Sequence, residues 1–280
     1  MSPLSPPVPL TSAYLLRGEH IVVSRSEVAT KSSQEALNAA LEANNRLLAE
    51  LIHVQRFALL GPEKVCQVIF EHEKVDVYVP FGDVDYIQKK LIENRSFYEL
   101  QNLLQIRDML APGAVICDVG ANIGNHTLFF AIFCDAAHVH AFEPVMTTFE
   151  ILARNVELNH LRNVTLYNRP VGVAGEGAAI ATYKLRNTGA TVIQPASGGA
   201  MRYLSLDEID LPRLDLIKID VEGQQIAVLK GSRKALKRHR PKIIIEIREK
   251  ERDETLAVLK ELGTRQAAKL SHSDYLFEFS

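Results

Sequence analysis

The residues most suggestive of chemistry form an acidic, glycine-rich turn near the middle of the chain. The segment VICDVGANIGNHT contains an apolar run that ends at Asp118, followed by Gly120, Asn122 and Gly124. Glycines at such a turn let a ligand approach the backbone closely, because they tolerate dihedral angles that other residues avoid. The spacing differs from the G-x-G-x-x-G pattern that receives the pyrophosphate of a dinucleotide at a helix N-terminus.

A second acid ends the next apolar run, VHAFEP, at Glu143. It follows the glycine turn by about 20 residues, where a carboxylate can accept hydrogen bonds from both hydroxyls of a ribose. A ligand with ammonium and sulfonium groups suits Asp118 better than a diphosphate does. The two acids and the turn therefore predict a site for S-adenosylmethionine (SAM), with Asp118 holding its amino group directly or through water. An NAD(P) oxidoreductase is the alternative, and it lacks the expected glycine spacing.

Further ionisable residues end the later apolar runs and are candidates for the transfer chemistry. In LDLIKIDVEG, extended backbone would point Asp220 and Glu222 to the same side, and Glu246 ends the following run KIIIE. Such carboxylates can orient a hydroxyl, act as a base or hold a divalent metal. His126, just after the glycine turn, is another candidate base, and Lys218 is a candidate substrate contact. The alternative for each is a structural role, as a helix cap, an exposed charge or an ion-pair partner.

Three motifs, DVGANIGNHT, AFEP and DLIKIDVEG, resemble those of the FkbM family of SAM-dependent methyltransferases. The resemblance runs from about Phe97 to Glu246 and covers more than half of the chain. It implies methyl transfer to a hydroxyl oxygen, often on a sugar, glycan or polyketide. It also implies that SAM is bound by Asp118, Gly120, Asn122, Gly124 and Glu143.

The resemblance extends to residues outside the three motifs. Phe97-Tyr98-Glu99 resembles the family's F-Y-E, so Tyr98 and Glu99 are expected to flank the cofactor together with Asn125. Asn187 resembles an Asn-x-Gly element and is expected to contact the acceptor, with an ordinary surface loop as the alternative. Gln225 stands where the family's E-G-x-E usually has glutamate. Glutamine is neither a base nor an anionic metal ligand, so a metal is not favoured. A non-catalytic SAM-binding or scaffold protein, suggested by Gln225 and by a long N-terminal helix, remains an alternative.

The pattern of apolar runs predicts an α/β fold. Strand and helix signals alternate with short connections, which is typical of a mostly parallel, Rossmann-like sheet with helices on both faces, as in class I methyltransferases. Strands are predicted at 114–118, 138–142, 164–168, 215–219, 242–247 and 275–279, and a β-hairpin at 64–80. Helices are predicted at 83–110, 124–134, 147–159, 223–237 and 251–262. Polar, glycine-rich loops at 184–190 and 195–200 are predicted to form a lid over the substrate. We expect an N-terminal extension at 1–62 and the methyltransferase domain at 63–280.

A helix is predicted at 33–60, with Ser32 and Glu35 at capping-box spacing. It carries an apolar stripe interrupted by Asn44, and a polar residue within such a seam can fix its register. The stripe is compatible with packing on the chain's own domain and with pairing between chains. We expect the chain to form a homo-oligomer by pairing of this stripe. The stripe consists of Leu37, Leu41, Leu48 and Leu51.

The composition of the chain limits the classes of partner and the cellular location that we expect. The 32 basic residues are offset by 34 acidic ones, for a net charge of −2, whereas non-specific nucleic-acid binding requires a basic excess. No apolar stretch approaches the roughly 18 residues of a membrane-spanning helix, and the Pro- and Ser-rich lead-in at 1–9 is not a signal peptide. Three cysteines without a CxxC favour a reducing compartment, so we expect a cytoplasmic protein acting on a small-molecule or glycan acceptor.

Overall fold

The structure, a computed structural model, describes residues 25–184 and 186–280, with side chains from residue 33 onward. The predicted lead-in at 1–9 and Leu185 of the predicted lid lie outside the described residues. The chain divides into two units, 1–52 and 53–280. This division falls before the domain boundary that we expected after residue 62. The end of the long helix belongs to the second unit, where His53 Nε2 lies 2.8 Å from the carbonyl oxygen of Gly82.

The long helix, α1, spans Arg25–Leu59. It begins before Ser32, so the predicted capping box is wrong, because Ser32 lies inside the helix rather than at its N-terminus. The leucines of the predicted stripe are all more than half exposed, from 57% at Leu48 to 68% at Leu51. None of the described helices combines the length and the apolar character needed to cross a bilayer.

The second unit follows the predicted alternation of strands and helices. Its further helices are α2 (Tyr86–Asn94), α3 (Leu100–Asp108), α4 (Asn125–Phe133), α5 (Met146–Leu158), α6 (Gln225–Gly231), α7 (Arg233–His239) and α8 (Arg252–Leu262). Its strands are β1 (Val65–Phe70), β2 (Glu73–Tyr78), β3 (Val115–Val119), β4 (His138–Phe142), β5 (Val164–Tyr167), β6 (Gly177–Thr182), β7 (Val192–Pro195), β8 (Met201–Arg202), β9 (Leu216–Ile219), β10 (Lys242–Glu246), β11 (Thr264–Lys269) and β12 (Asp274–Phe279). The predicted helices at 83–110 and 223–237 are each divided in two.

The main sheet has seven strands in the order β11-β12-β10-β9-β3-β4-β5. Strands β10, β9, β3, β4 and β5 pair in parallel, and β12 is antiparallel to both of its neighbours. The predicted hairpin is confirmed by the antiparallel pair β1 and β2. Strand order reverses between β3 and β9, and ligands of open α/β sheets bind in the crevice at the carboxyl ends of strands at such a point.

Alternating residues of the central strands face two separate apolar clusters. Ile116 and Leu216 belong to one cluster, and their neighbours Cys117 and Ile217 belong to the other. All four side chains are fully buried, and burying a large apolar side chain contributes about 1.5–3 kcal/mol. Helices therefore cover both faces of the sheet, as the sequence predicted.

A small antiparallel sheet, in the order β7-β6-β8, flanks the two predicted lid loops, which lie between β6 and β7 and between β7 and β8. Thr188–Ala190 forms a 3-10 helix next to it. Apart from Pro195 at the end of β7 and this short 3-10 turn, the two loops lie where they were predicted, whereas the three strands were not predicted. Short strands rich in alanine carry little sequence signal, and their pairing depends on contacts between distant parts of the chain.

Candidate active site

A cavity of about 270 Å³ lies at the carboxyl ends of β3, β4, β9 and β10. This volume is near the lower end of the range for small-molecule sites. Most of the predicted site residues line the cavity, and Asp118 and Gly124 are absent from its wall. Those that line it are Tyr98, Glu99, Gly120, Asn122, Asn125, His126, Glu143, Asn187, Lys218, Asp220, Glu222 and Glu246.

The glycine turn forms one wall of the cavity. The backbone N–H groups of Gly120 and Ala121 both donate to the carbonyl oxygen of Phe142, at 3.0 and 2.9 Å, which ties the turn to the end of β4. Gly120 and Asn122 have φ values of 83° and 50°. The Oδ1 atom of Asn122 is buried and accepts no hydrogen bond from the described residues. It is thus available to accept from a ligand at this wall.

Glu143 follows β4 and is 6% exposed. Its Oε2 accepts from the backbone N–H of Asn122 at 3.1 Å, and its Oε1 accepts from that of Val145 at 2.8 Å. Burial raises the pKa of Glu143 to about 7, although the two backbone hydrogen bonds lower it. Each carboxylate oxygen keeps a free lone pair. Glu143 can therefore hold a pair of ligand hydroxyls, as predicted for a ribose.

Asp118 does not face the cavity. Its side chain is fully buried, its Oδ2 accepts from the hydroxyl of Thr127 at 2.6 Å, and its Oδ1 lies 3.5 Å from Lys218 Nζ. The ammonium group of Lys218 lies on the Oδ1 side of this carboxylate, which disfavours a direct contact with the amino group of the ligand. A contact through water stays a prediction. Asp118 instead fixes Lys218 through the register that places β3 beside β9.

Gly124 also has a structural role where a ligand contact was predicted. It precedes α4 with a φ of 93°, and a Cβ atom there would lie 2.7 Å from Leu152 Cδ1 of α5. The left-handed φ favours glycine at this position, and the missing side chain leaves room for Leu152. The next residue, Asn125, accepts from the backbone N–H of Tyr98 at 2.9 Å and donates to its carbonyl oxygen at 3.0 Å. This pair of bonds holds the segment before α3 against the cavity.

Lys218 carries a buried ammonium group between two strands. Its Nζ lies 3.3 Å from Asp220 Oδ2, and it donates to the carbonyl oxygen of Gly120 at 3.4 Å. Burial lowers the pKa of Lys218, but Asp220, Asp118 and Glu99 outweigh burial, and the pKa lies above its ordinary value. Lys218 therefore stays charged and links the glycine turn to the acids at the end of β9.

His126 and Glu99 face each other across the cavity wall, with Nε2 and Oε2 3.6 Å apart. Burial, followed by the charge of Lys218, holds the pKa of His126 well below its ordinary value. Burial also raises the pKa of Glu99. A histidine with so low a pKa is neutral at pH 7 and is a weak base. The role of His126 as the base stays a prediction.

Three carboxylates meet at the ends of β9 and β10. Asp220, Glu222 and Glu246 each offer an oxygen, and these oxygens lie within 4.8 Å of one another. The guanidinium of Arg248 forms ion pairs with Glu222 and with Glu246, in the latter case at 3.4 Å. Burial and the charge of Asp220 raise the pKa of Glu246 to about 7, although Arg248 lowers it. The cluster thus combines an internal counterion with a carboxylate whose pKa lies near neutrality.

Gln225 lies away from this chemistry. It is 3% exposed, its Nε2 donates to the hydroxyl of Thr255 at 3.4 Å, and it does not line the cavity. The replacement of the family's usual glutamate at this position therefore leaves the acids of the cavity unchanged.

Sequence reasoning missed several polar residues of the cavity, among them Arg248 and Tyr203. Arg248 follows Glu246 by two residues, so the two-residue repeat of extended backbone could have placed both on one side. Tyr203 is almost fully buried, and its hydroxyl donates to Gln224 Oε1 at 3.3 Å. No local signal predicts that contact, because it joins the small sheet to the segment before α6.

The strand order, the glycine turn and the acid after β4 define a Rossmann-like domain of the class I methyltransferase type. A family model described as the methyltransferase FkbM domain matches residues 118–266, which is more than half of the chain. The chain belongs to the FkbM methyltransferase domain family.

Proteins named as methyltransferases are among those to which the chain is similar. It is 32% identical over 130 residues to the hexuronic acid methyltransferase AglP of Haloferax volcanii, covering 44% of this chain and 51% of that protein. It is 26% identical over 142 residues to methyltransferase 1 of Beauveria bassiana, covering 41% and 57%. The solved methyltransferase FkbM of Methylobacillus flagellatus aligns with a TM-score of 0.44 at 18% identity, covering 69% of this chain and 52% of that one. The chain spans about half the length of the curated relatives it matches.

Proposed function

We propose that the protein is a SAM-dependent O-methyltransferase that acts on a hydroxyl of a sugar, glycan or secondary-metabolite acceptor. One observation carries the proposal: the acid suited to a ribose, Glu143, and the acid cluster suited to a hydroxyl line the same cavity. The similarity to a protein named as a hexuronic acid methyltransferase supports a sugar-containing acceptor.

The residues of the glycine turn fit the cofactor. Asn122 offers a buried Oδ1 without a partner, and Glu143 offers two carboxylate oxygens with spare lone pairs. These acceptors match the hydroxyl and ammonium donors of SAM. When bound, SAM supplies an activated methyl group on a sulfonium. Tyr98 and Glu99, held by Asn125, would close the side of the same cavity.

The acid cluster would prepare the acceptor. A general base works best when its pKa lies near the working pH, and Glu246 meets this condition. We assign Glu246 the role of the general base that accepts the proton of the acceptor hydroxyl. Asp220, whose partner is the ammonium of Lys218, would orient that hydroxyl, while Glu222 stays paired with Arg248.

We propose that transfer needs no divalent metal. Three close carboxylates could hold a cation with oxygen ligands, and their oxygens are near enough to do so. Arg248 already contributes a positive charge to two of them. A guanidinium bridging two carboxylates lowers the repulsion that a metal would otherwise relieve.

The other functions considered for the sequence have less support. The scaffold hypothesis rested on Gln225 and on the long N-terminal helix, and Gln225 lies outside the cavity. An NAD(P) oxidoreductase would need a glycine-lined pyrophosphate site, whereas the helix after this turn begins with Asn125, which binds the backbone of Tyr98. We also propose that the protein does not act on nucleic acid and that it is located in the cytoplasm. Three buried cysteines that form no disulfide support the cytoplasmic location.

We also propose that the exposed leucines of α1 mediate self-association. Leu37, Leu41, Leu48 and Leu51 fall at alternating four- and three-residue steps along the helix when Asn44 is counted between Leu41 and Leu48, which is the spacing of a pairing seam. Their exposure in the single chain supports a partner of the same kind.

Comparing the binding of SAM and NADH to the purified full chain tests the cofactor assignment. We expect saturable binding of SAM, weakened by Glu143→Ala, and no saturable binding of NADH. Binding of NADH in preference to SAM would refute the proposal, and SAM binding unaffected by Glu143→Ala would refute the role of that acid.

A further inference from the structure

Asp85 is a fully buried acid outside the set of site residues predicted from the sequence. It precedes α2, and its side chain accepts a hydrogen bond from the backbone N–H of Gln88 at 3.0 Å. This Oδ1 bond caps the helix, a common role for aspartate. Capping uses one carboxylate oxygen and leaves the other for a different partner.

The Oδ2 atom of Asp85 binds a distant segment. It accepts from both the backbone N–H and the hydroxyl of Thr188, each at 2.9 Å, although the two residues are 103 positions apart. Next to this contact, the backbone N–H of Tyr86 donates to the carbonyl oxygen of Arg186 at 3.0 Å. The start of α2 is thereby joined by three hydrogen bonds to the segment 186–188, which leads into the 3-10 helix.

Both joined segments form walls of the candidate active site. Tyr86 and Ile87 line it from α2, and Asn187, Thr188 and Gly189 line it from the other segment. Gly189 packs closely against the glycine turn, since a Cβ atom there would lie 2.8 Å from Asn122 Nδ2 and 3.4 Å from Ile87 Cδ1. The wall held by Asp85 therefore borders the part of the cavity assigned to SAM.

We propose that Asp85 is a positioning residue that latches this wall over the cofactor and slows its release. A buried carboxylate is stable only when it is hydrogen-bonded. Moving the wall outward would leave Oδ2 without its two donors, so the closed arrangement is favoured. The inference rests on the proposed function for its ligand, while the latch itself rests only on the contacts of Asp85 and Thr188.

Three variants separate the latch from the helix cap. Asp85→Ser retains a good capping residue but is too short to reach Thr188. Thr188→Val removes the hydroxyl bond and leaves α2 unaltered, and Thr188→Ser restores the hydroxyl. The probe is S-adenosylhomocysteine, the product of SAM, measured with the full chain for its Kd and dissociation rate.

We expect Asp85→Ser to raise the Kd about tenfold, mainly through faster dissociation, because it removes hydrogen bonds to a charged group. Thr188→Val should have a smaller effect in the same direction, and Thr188→Ser should match the wild type. Amide exchange at 188–191 of the free protein should be faster in Asp85→Ser and Thr188→Val. A general loss of thermal stability would not by itself make Thr188→Val differ from Thr188→Ser in its dissociation rate and amide exchange.

Unchanged exchange and unchanged dissociation in both Asp85→Ser and Thr188→Val would overturn the latch. If Asp85→Ser does not fold, the comparison of Thr188→Val with Thr188→Ser still tests the latch. If the wild type does not bind S-adenosylhomocysteine, the proposed function fails and the claim about cofactor release fails with it. The exchange measurement then still shows whether Asp85 holds the wall.

Discussion

Gly120 of the glycine turn lies directly against the backbone of Asp220: a Cβ atom at position 120 would be 1.8 Å from the carbonyl oxygen of Asp220. The turn assigned to the cofactor and the strand end assigned to the acceptor are thus in van der Waals contact through their main chains. Catalysis of a transfer depends on holding two reactants in a fixed geometry. This contact, together with Lys218 Nζ near both segments, provides that geometry.

Gly120→Ala should therefore damage both stability and cofactor binding. The methyl group would enter the space of a backbone atom at a φ of 83°. We expect the free energy of unfolding to fall by about 3 kcal/mol or more, from left-handed strain and overpacking together.

The matched control for this change is Gly175→Ala, at a φ of 77° with open space around the position. It should cost only the strain, about 1–2 kcal/mol, and leave SAM binding intact. Denaturant unfolding and SAM titration measure both effects. Equal losses of stability in the two variants would show that the contact with Asp220 is unimportant.

Binding of S-adenosylhomocysteine should strengthen with rising pH around neutrality. Burial raises the pKa of Glu143 to about 7, and only the ionised carboxylate accepts from two hydroxyls without donating. Lowering the pH from 8 to 6 removes most of the ionised form, so the Kd should rise about tenfold.

The variant Glu143→Gln should bind more weakly, by ~1–3 kcal/mol, and its affinity should not depend on pH in this window. Calorimetric titrations at several pH values test both statements. A wild-type Kd that is constant between pH 6 and 8 would contradict the assignment of Glu143.

The rate of methyl transfer at saturating SAM should depend on Glu246. Its pKa is raised to about 7, and a base must be ionised to accept a proton. The turnover number is therefore expected to fall as the pH drops below about 7 and to level off above it. Glu246→Gln should lower turnover by roughly 10²–10⁴ and remove this inflection.

Asp220→Asn provides a comparison within the same cluster. It should slow transfer while changing SAM affinity little, and the pH inflection should persist because Glu246 is retained. If Asp220→Asn instead removes the inflection and Glu246→Gln keeps it, the two acids have the opposite roles. Full activity in both variants would exclude the cluster from the mechanism.

Self-association through α1 should be lost when its leucines become charged. Leu41→Glu combined with Leu48→Glu places charge in the centre of the proposed seam, where like charges would face each other. The control is Arg46→Glu, which changes the charge of the same helix at a position outside the leucine stripe. We expect the double variant to have the mass of a single chain by sedimentation and the control to keep the wild-type mass. An unchanged mass in the double variant would refute self-association through the leucines of α1.

The residues of local motifs were predicted best from the sequence. The strand, turn and helix around Gly120 and the acid at 143 depend on neighbours along the chain, and the structure places them as expected. The contacts of Asp118 could not be predicted, because its partner Lys218 becomes its neighbour only through the pairing of β3 with β9.

The remaining differences arise from packing between distant segments. The predicted helix at 223–237 is interrupted at Ser232, where Gly231 packs so closely that a Cβ atom would lie 1.8 Å from the carbonyl oxygen of Gly172. Strand β11, Thr264–Lys269, was missed because TRQAAK has few β-forming residues and lies at the sheet edge. Asp85 carries no motif at all, and its partner Thr188 is identified only by the folded chain.

The central claim is methyl transfer from SAM to a hydroxyl, and the most direct test is transfer of label. Purified protein would be incubated with methyl-labelled SAM and fractions of an extract of its host, with and without EDTA. We predict base-stable label in a carbohydrate or a small hydroxylated metabolite, retained in EDTA and strongly reduced by Glu246→Gln. Label in nucleic acid or protein would contradict the proposed acceptor, and measurable SAM binding without label in any fraction would contradict the proposed catalysis.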